Sequence, residues 1–266
     1  MLPPLLLVGA GRMGGAMLAG WREQGLSVSV VIDPAPSAAN LAGPDVSVLP
    51  GPSTLPEEFA PAAVILAVKP QNAAEVLPRY AHLAGRAVFL SIMAGRSLGG
   101  MRSLLGDAAA IVRAMPNTPA AVRRGVTVAT PGPGVTEAQR TLCDRLLGAI
   151  GKVAWVADEG LLDPVTAVSG SGPAYVFLLA ELMEEAAVAE GLPPDLARLL
   201  ARETVAGAGA LLAASQEESA ALRRAVTSPG GTTERALRVL MVDTAWPLLL
   251  RQAIASATAR SRELAG

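Results

Sequence analysis

The residues best suited to chemistry in this 266-residue chain begin with Gly9-Ala10-Gly11-Arg12-Met13-Gly14. A G-x-G-x-x-G hexapeptide is common on its own. Here it follows the apolar run Leu5–Val8 and opens a helix-like pattern, and a second apolar run ends in Asp33, nineteen residues after Gly14. Each part has a use in holding a dinucleotide. Gly9 permits the tight turn, Gly11 lets the backbone approach a pyrophosphate, and Gly14 lets helix and strand pack closely. The helix start, with Arg12 and Met13 in its first turn, adds free N–H groups and partial positive charge. Asp33 stands where a carboxylate holds the adenosine ribose hydroxyls and repels a 2′-phosphate. No cation follows it until Lys69, so the residues lean toward NADH over NADPH.

Three more segments end apolar runs, where open α/β sheets bind ligands. Ala67-Val68-Lys69-Pro70 carries one of the chain's two lysines. Ala94-Gly95 leaves room for a flat ring. Asn117, in Met115-Pro116-Asn117-Thr118-Pro119, is suited to a carboxamide. Two segments further on, Ser169-Gly170-Ser171-Gly172-Pro173 and Thr227-Ser228-Pro229-Gly230-Gly231-Thr232-Thr233, read as helix starts rich in hydroxyls and bare N–H groups. Such starts accept anions without an arginine. The pair favours a small anionic substrate.

What is scarce narrows the chemistry. There is one His, one Cys and two Tyr, and of 22 basic residues only Lys69 and Lys152 are lysine. One cysteine makes neither an intrachain disulfide nor a cysteine zinc site. Cys143 falls among Leu142, Leu146 and Leu147 as a buried hydrophobe, and His82 reads as a solvated residue at a helix end, so no Ser-His or Cys-His pair is evident. A formal net charge of −1 and 3% aromatics argue against a nucleic-acid surface. No apolar run reaches the roughly 18 residues of a membrane span. The apolar start lacks a basic leader region and flows into the glycine motif, so a cytoplasmic protein is expected.

The elements that must position these residues come in two sets. Leu5–Val8, Val28–Ile32, Val64–Val68, Ala87–Ile92 and Ala110–Ala114 are apolar on both faces, as parallel strands under helices are. Helical spacing separates them at Met13–Gln24, Ala73–Leu83 and Leu98–Leu105, and strand, helix, strand follow at Val126–Ala129, Thr136–Ile150 and Val153–Val156. The alternation predicts a doubly wound α/β domain over residues 1–160. The Pro/Gly-rich patch 44–56 reads as a loop. Residues 161–266 read as helices alone: Pro173–Glu190, Pro194–Ala214, Glu218–Val226, Thr233–Leu240 and Thr244–Leu264. The first two are apolar on nearly every face, more than a domain of that size buries by itself. A helical oligomerisation domain is expected.

Taken together, GAGRMG, AVKPQ at 67–71, MPNTPA at 115–120, SGSGPAY at 169–175 and TSPGGTT at 227–233 resemble pyrroline-5-carboxylate reductases along essentially the whole chain. The last two motifs are specific to that family. The resemblance implies an N-terminal Rossmann-type domain and an all-α dimerisation domain, in homodimers that assemble further to decamers. It implies reduction of Δ1-pyrroline-5-carboxylate to L-proline by NADPH or NADH, the last step of proline biosynthesis. Family habit leans to NADPH where Asp33 leans to NADH. Ser228 and the backbone of Gly231, Thr232 and Thr233 would hold the substrate carboxylate, with the Thr233 hydroxyl facing the ring nitrogen. Lys69 and Asn117 would lie around the cofactor. The chain departs from the family pattern at Gln216-Glu217-Glu218-Ser219, Leu222-Arg223-Arg224 and Asp33-Pro34. Two rival readings are a β-hydroxyacid dehydrogenase, whose lysine base the helical half lacks after Lys152, and a non-catalytic dinucleotide sensor.

Overall fold

The computed structural model describes residues 1–265, so Gly266, the last residue of the expected 161–266 segment, lies outside the described residues. The chain divides into two compact units. One comprises residues 1–170 with the last stretch from Ala257, and the other runs from Ser171 to Ser256.

The first unit is built on eight strands: β1 (Leu5–Val8), β2 (Ser29–Ile32), β3 (Val46–Leu49), β4 (Ala63–Leu66), β5 (Val88–Ser91), β6 (Ala110–Met115), β7 (Gly125–Pro131) and β8 (Gly151–Trp155). They form one sheet in the order β3-β2-β1-β4-β5-β6-β7-β8, so the strand order reverses between β1 and β4. Helices α1 (Arg12–Glu23), α2 (Ala73–Val76), α3 (Leu98–Leu105) and α4 (Glu137–Gly148) cover it. Alternation along each strand explains the two cores. Leu5, Leu7, Ile65, Leu90 and Val112 pack under Met17, Trp21, Cys143 and Leu146. Leu6, Val8, Val64, Phe89 and Ile111 pack on the other face with Leu77, Tyr80, Met101 and Leu105. Trp21 joins α1 to α4 by donating its indole N–H to the Leu146 carbonyl at 2.9 Å. Cys143 is buried and His82 exposed, as the sequence suggests.

Three local expectations change. The patch 44–56 is not all loop, because Val46–Leu49 forms β3 against β2 in parallel register. It is an edge strand, the one place in a sheet where flanking prolines cost no ladder bond. Helical spacing over 73–83 yields a single α turn in α2, followed by a 3₁₀ helix over Leu77–Leu83. Pro78, with no N–H to give, stands at that change. Finally, β7 runs antiparallel to β6. The connection 116–124 is too short for a parallel crossover, which takes a dozen or more residues.

Beyond β8 come α5 (Leu162–Val165), α6 (Gly172–Ala189), α7 (Pro194–Ala214), α8 (Ser219–Ala225), α9 (Thr232–Leu240) and α10 (Trp246–Ala265). Within the second unit α6 and α7 pack together, yet its buried apolar residues among those described are Ala197 and Ala201 alone. Phe177 and Leu211 are each 67% exposed. A single copy of these helices has no core of its own. The helical stretch 159–189 is also long and apolar enough, by length and composition, to cross a membrane, with 6% of that window buried. In the sequence the stretch is broken by Asp163, Glu181, Glu184, Glu185 and the Ser/Gly segment 169–172, so it forms no unbroken apolar run.

Candidate active site

A cleft of about 650 Å³ opens in the first unit at the carboxyl ends of β1, β2 and β4. Its shape follows from three glycines. Gly9 has φ +91°, and a Cβ there would lie 2.7 Å from the Ala67 carbonyl oxygen, so the ends of β1 and β4 admit no side chain. A Cβ on Gly14 would strike the Gly9 carbonyl, so this glycine sets how closely α1 sits on the turn. Gly11 differs. It caps α1 with φ −63°, is exposed, and a Cβ there would meet nothing within 4 Å. No packing among the described residues demands a glycine at 11. The open space above it suits a group that comes from outside, and it lies over the unpaired N–H groups of a helix start.

Asp33 closes the other side. Its Oδ2 accepts the N–H of Ala10 at 2.7 Å and its Oδ1 that of Ala35 at 2.8 Å. Both oxygens thus organise turns, which leaves their remaining lone pairs for a ligand. The structure gathers Gly9, Gly11, Asp33, Ala67, Val68 and Lys69 around one cleft, and adds Glu75, Arg79 and Tyr80, which sequence reasoning missed. Lys69 is exposed and, among the described residues, has no ion-pair partner. Arg12 is exposed beside the cleft, and Met13 packs partly on the core. Pro70 opens a 3₁₀ turn, and its carbonyl accepts from Arg96 Nε at 2.9 Å.

Ala94, Gly95 and Asn117 do not line this cleft. Ala94 is exposed. Gly95 has φ +64°, and a Cβ there would sit 3.0 Å from the Leu264 carbonyl oxygen. Asn117 is 9% exposed. Its Oδ1 accepts the Val126 N–H at 2.9 Å and its Nδ2 donates to the Ser169 carbonyl at 3.2 Å. It clamps the 117 turn to the 169 segment, with one amide proton still available.

The segment 169–173 is not the free helix start that the sequence suggests. Thr166–Gly170 is a π-helical turn that follows α5, and Ser171 keeps helical angles ahead of α6. Thr166 Oγ1 donates to the Leu162 carbonyl at 2.7 Å and Ser169 Oγ to that of Val165 at 3.0 Å. These hydroxyls bond backward along the chain instead of facing a ligand.

The second unit holds the other candidate. Gly231 caps α9, Thr232 and Thr233 are its first two residues, and helix geometry leaves their N–H groups without intrahelical acceptors. Gly231 itself donates to the Ser228 carbonyl at 3.0 Å, so its N–H is already engaged. Gly230, at φ +74°, donates to Glu234 Oε2 at 2.6 Å. That bond first, and Arg238 second, hold the Glu234 carboxyl below its ordinary 4.5. Sequence reasoning overlooked Glu234; an acid at the third helical position behind a Gly-Gly turn is its signal. Ser228 and Thr232 are exposed and Thr233 is half-buried.

Comparison with known proteins matches two segments of the chain. Residues 159–264 match the family described as pyrroline-5-carboxylate reductase dimerisation, and residues 5–95 match NADP oxidoreductase coenzyme F420-dependent. The pyrroline-5-carboxylate reductase of Pseudomonas aeruginosa is 38% identical, over 99% of this chain and 97% of its own. That of Mycobacterium tuberculosis is 36% identical over 98% and 96%. A solved pyrroline-5-carboxylate reductase from Coxiella burnetii superposes with a TM-score of 0.92 at 31% identity, covering both chains fully. The Plasmodium falciparum enzyme, solved with NADP bound, superposes at 0.82 with 25% identity over 99% and 100%. The glycine cleft, the TSPGGTT turn and relatives matched end to end place this chain in the pyrroline-5-carboxylate reductase family.

Proposed function

We propose that this protein reduces Δ1-pyrroline-5-carboxylate to L-proline with NADPH or NADH, the closing step of proline biosynthesis. The observation that carries the reading is relatedness from end to end, with both candidate motifs inside it. The cleft fits the cofactor: it has the volume, an uncrowded Gly11 and a helix start for phosphates. Gly9, Gly11, Arg12, Met13 and Gly14 would hold the pyrophosphate, and Asp33 with Ala67, Val68, Lys69 and Pro70 would bound the adenosine end. Ala94, Gly95 and Asn117 would border the nicotinamide. When bound, the cofactor supplies a hydride to the C=N carbon.

The residues then have a modest task. A cyclic imine gains a proton far more readily than a ketone, so no strong acid is required. The Thr232 and Thr233 N–H groups and the Ser228 hydroxyl hold the carboxylate, and the Gly231 N–H keeps the turn shaped. The Thr233 hydroxyl orients the ring nitrogen and its proton. Alignment of this kind supplies much of a rate. A chain with one histidine and no lysine after Lys152 is compatible with that chemistry. The functional division runs near residue 160, with the cofactor half before it and the dimerisation and substrate half after. The apolar faces of α6 and α7 are covered by a second copy, and dimers associate to decamers in the cytoplasm.

The test is substrate-dependent loss of nicotinamide absorbance for each cofactor, in wild type, Thr233→Ala and Thr233→Ser. Wild-type turnover that falls on the order of 100-fold in the alanine variant and recovers in part in the serine variant supports the assignment. Wild-type rates in Thr233→Ala remove Thr233 from the mechanism, and no oxidation of either cofactor by the wild type removes the activity.

A further inference from the structure

Four charged side chains line the glycine cleft: Asp33, Lys69, Glu75 and Arg79. Asp33 is the residue that argues for NADH, yet each of its oxygens already accepts a backbone N–H, from Ala10 and Ala35. Its charge is partly met by those dipoles, and its direction is set by two turns rather than by a ribose. Arg79 sits in the 3₁₀ helix that follows α2, and no sequence pattern after β2 reveals it. Its Nη2 donates to Glu75 Oε1 at 2.8 Å across one helical turn. A guanidinium has five N–H donors, so most of its fork stays free, and the side chain is 51% exposed. Its planar donor pair suits phosphate oxygens in a way that a lysine does not.

We infer that Arg79 recognises the 2′-phosphate of NADPH, held toward the cleft by Glu75, and makes this protein prefer NADPH to NADH. Arg79 is the specificity-determining residue and Glu75 a positioning residue. The inference rests on the nucleotide reading of the cleft under the proposed function. Lys69, at the β4 end of the cleft, serves the nucleotide in general and does not discriminate.

The probes are adenosine 2′,5′-bisphosphate and adenosine 5′-monophosphate, which differ only by the 2′-phosphate, titrated calorimetrically into the full-length protein. The wild type is expected to bind the bisphosphate tighter by on the order of tenfold or more. Arg79→Gln brings the two affinities within about twofold by weakening the bisphosphate. Arg79→Lys keeps part of the preference, and Lys69→Gln weakens both probes alike. A wild-type ratio retained in Arg79→Gln, or a ratio lost in Lys69→Gln instead, overturns the inference while the cofactor reading stands. If neither probe binds the wild type, the inference and the cofactor reading fall together. Steady-state KM values for NADPH and NADH in the same variants give a second measure of the ratio.

Discussion

The N–H of Ala10 donates to Asp33 Oδ2 at 2.7 Å, so the turn after β1 and the tip of β2 are joined by a carboxylate. The bond is part-buried, and a second bond from Ala35 fixes the same side chain. Asp33→Ala is therefore expected to cost about 1–2 kcal/mol of stability. It should weaken NADH and NADPH together, because the shared turn loosens. Urea denaturation and binding titrations check this. A variant of unchanged stability that only gains affinity for NADPH would mean that Asp33 acts as a ribose ligand and not as a tie.

Two glycines of one motif should behave in opposite ways. Gly11→Ala meets nothing within 4 Å and has ordinary helix-cap angles, so the variant should fold with wild-type stability to within about 0.5 kcal/mol. It should nevertheless lose most of its nucleotide affinity. Gly14→Ala drives a methyl into the Gly9 carbonyl and should destabilise by about 2–3 kcal/mol. Thermal unfolding with and without NADPH separates the two. Equal stability losses would remove the reason for reading Gly11 as a ligand position.

How much was legible beforehand depends on distance along the chain. Leu5–Val8 with the glycine turn and α1 is a local pattern, and its strand, turn and helix all stand where periodicity puts them. β3 escaped because an edge strand of Val46–Leu49 between prolines carries little apolar signal. The 169–173 segment misled because small hydroxylated residues serve a π-helical turn as readily as a helix start. The place of Arg79 in the cleft was invisible, because its pairing with Glu75 is local while the cleft is assembled from the ends of distant strands, and so was the double engagement of Asn117, whose partners Val126 and Ser169 lie in other elements. The antiparallel β7 followed from the shortness of 116–124, a cue that apolar patterning does not weigh.

A second carboxylate holds the first unit together from a distance. Glu159 Oε1 accepts from Arg113 Nη1 at 2.6 Å and from the Leu98 N–H at 2.8 Å, tying β6 to the start of α3. The Arg113 side chain is only 8% exposed. Glu159→Ala leaves that guanidinium buried without its partner and should cost about 3 kcal/mol, whereas the double change Arg113→Met with Glu159→Leu should recover most of the loss. Additive losses in the double variant, read by urea denaturation, would contradict a coupled pair.

Alkaline pH should unfold the protein through two buried acids. Burial, with the Asp144 charge as a smaller cause, pushes the Cys143 thiol from its ordinary 9.0 up to about 12. Burial pushes the Tyr80 phenol from 10.0 to about 12 against the pull of Arg79. A proton held more tightly in the folded state gives stability that is complete below the unfolded value and lost as pH rises toward the folded one. Stability should therefore fall from about pH 9 by about 1.4 kcal/mol per pH unit, and more steeply above about pH 10. Cys143→Ala should flatten the decline between those two points. A thermal midpoint with the same slope in both proteins over that interval would contradict the assignment.

The central claim is tested most directly by incubating the purified protein with Δ1-pyrroline-5-carboxylate and NADPH or NADH. Nicotinamide absorbance and proline are followed together. The account predicts one L-proline formed per nicotinamide oxidised, with turnover that depends on the imine. Nucleotide binding without proline formation under either cofactor would contradict it.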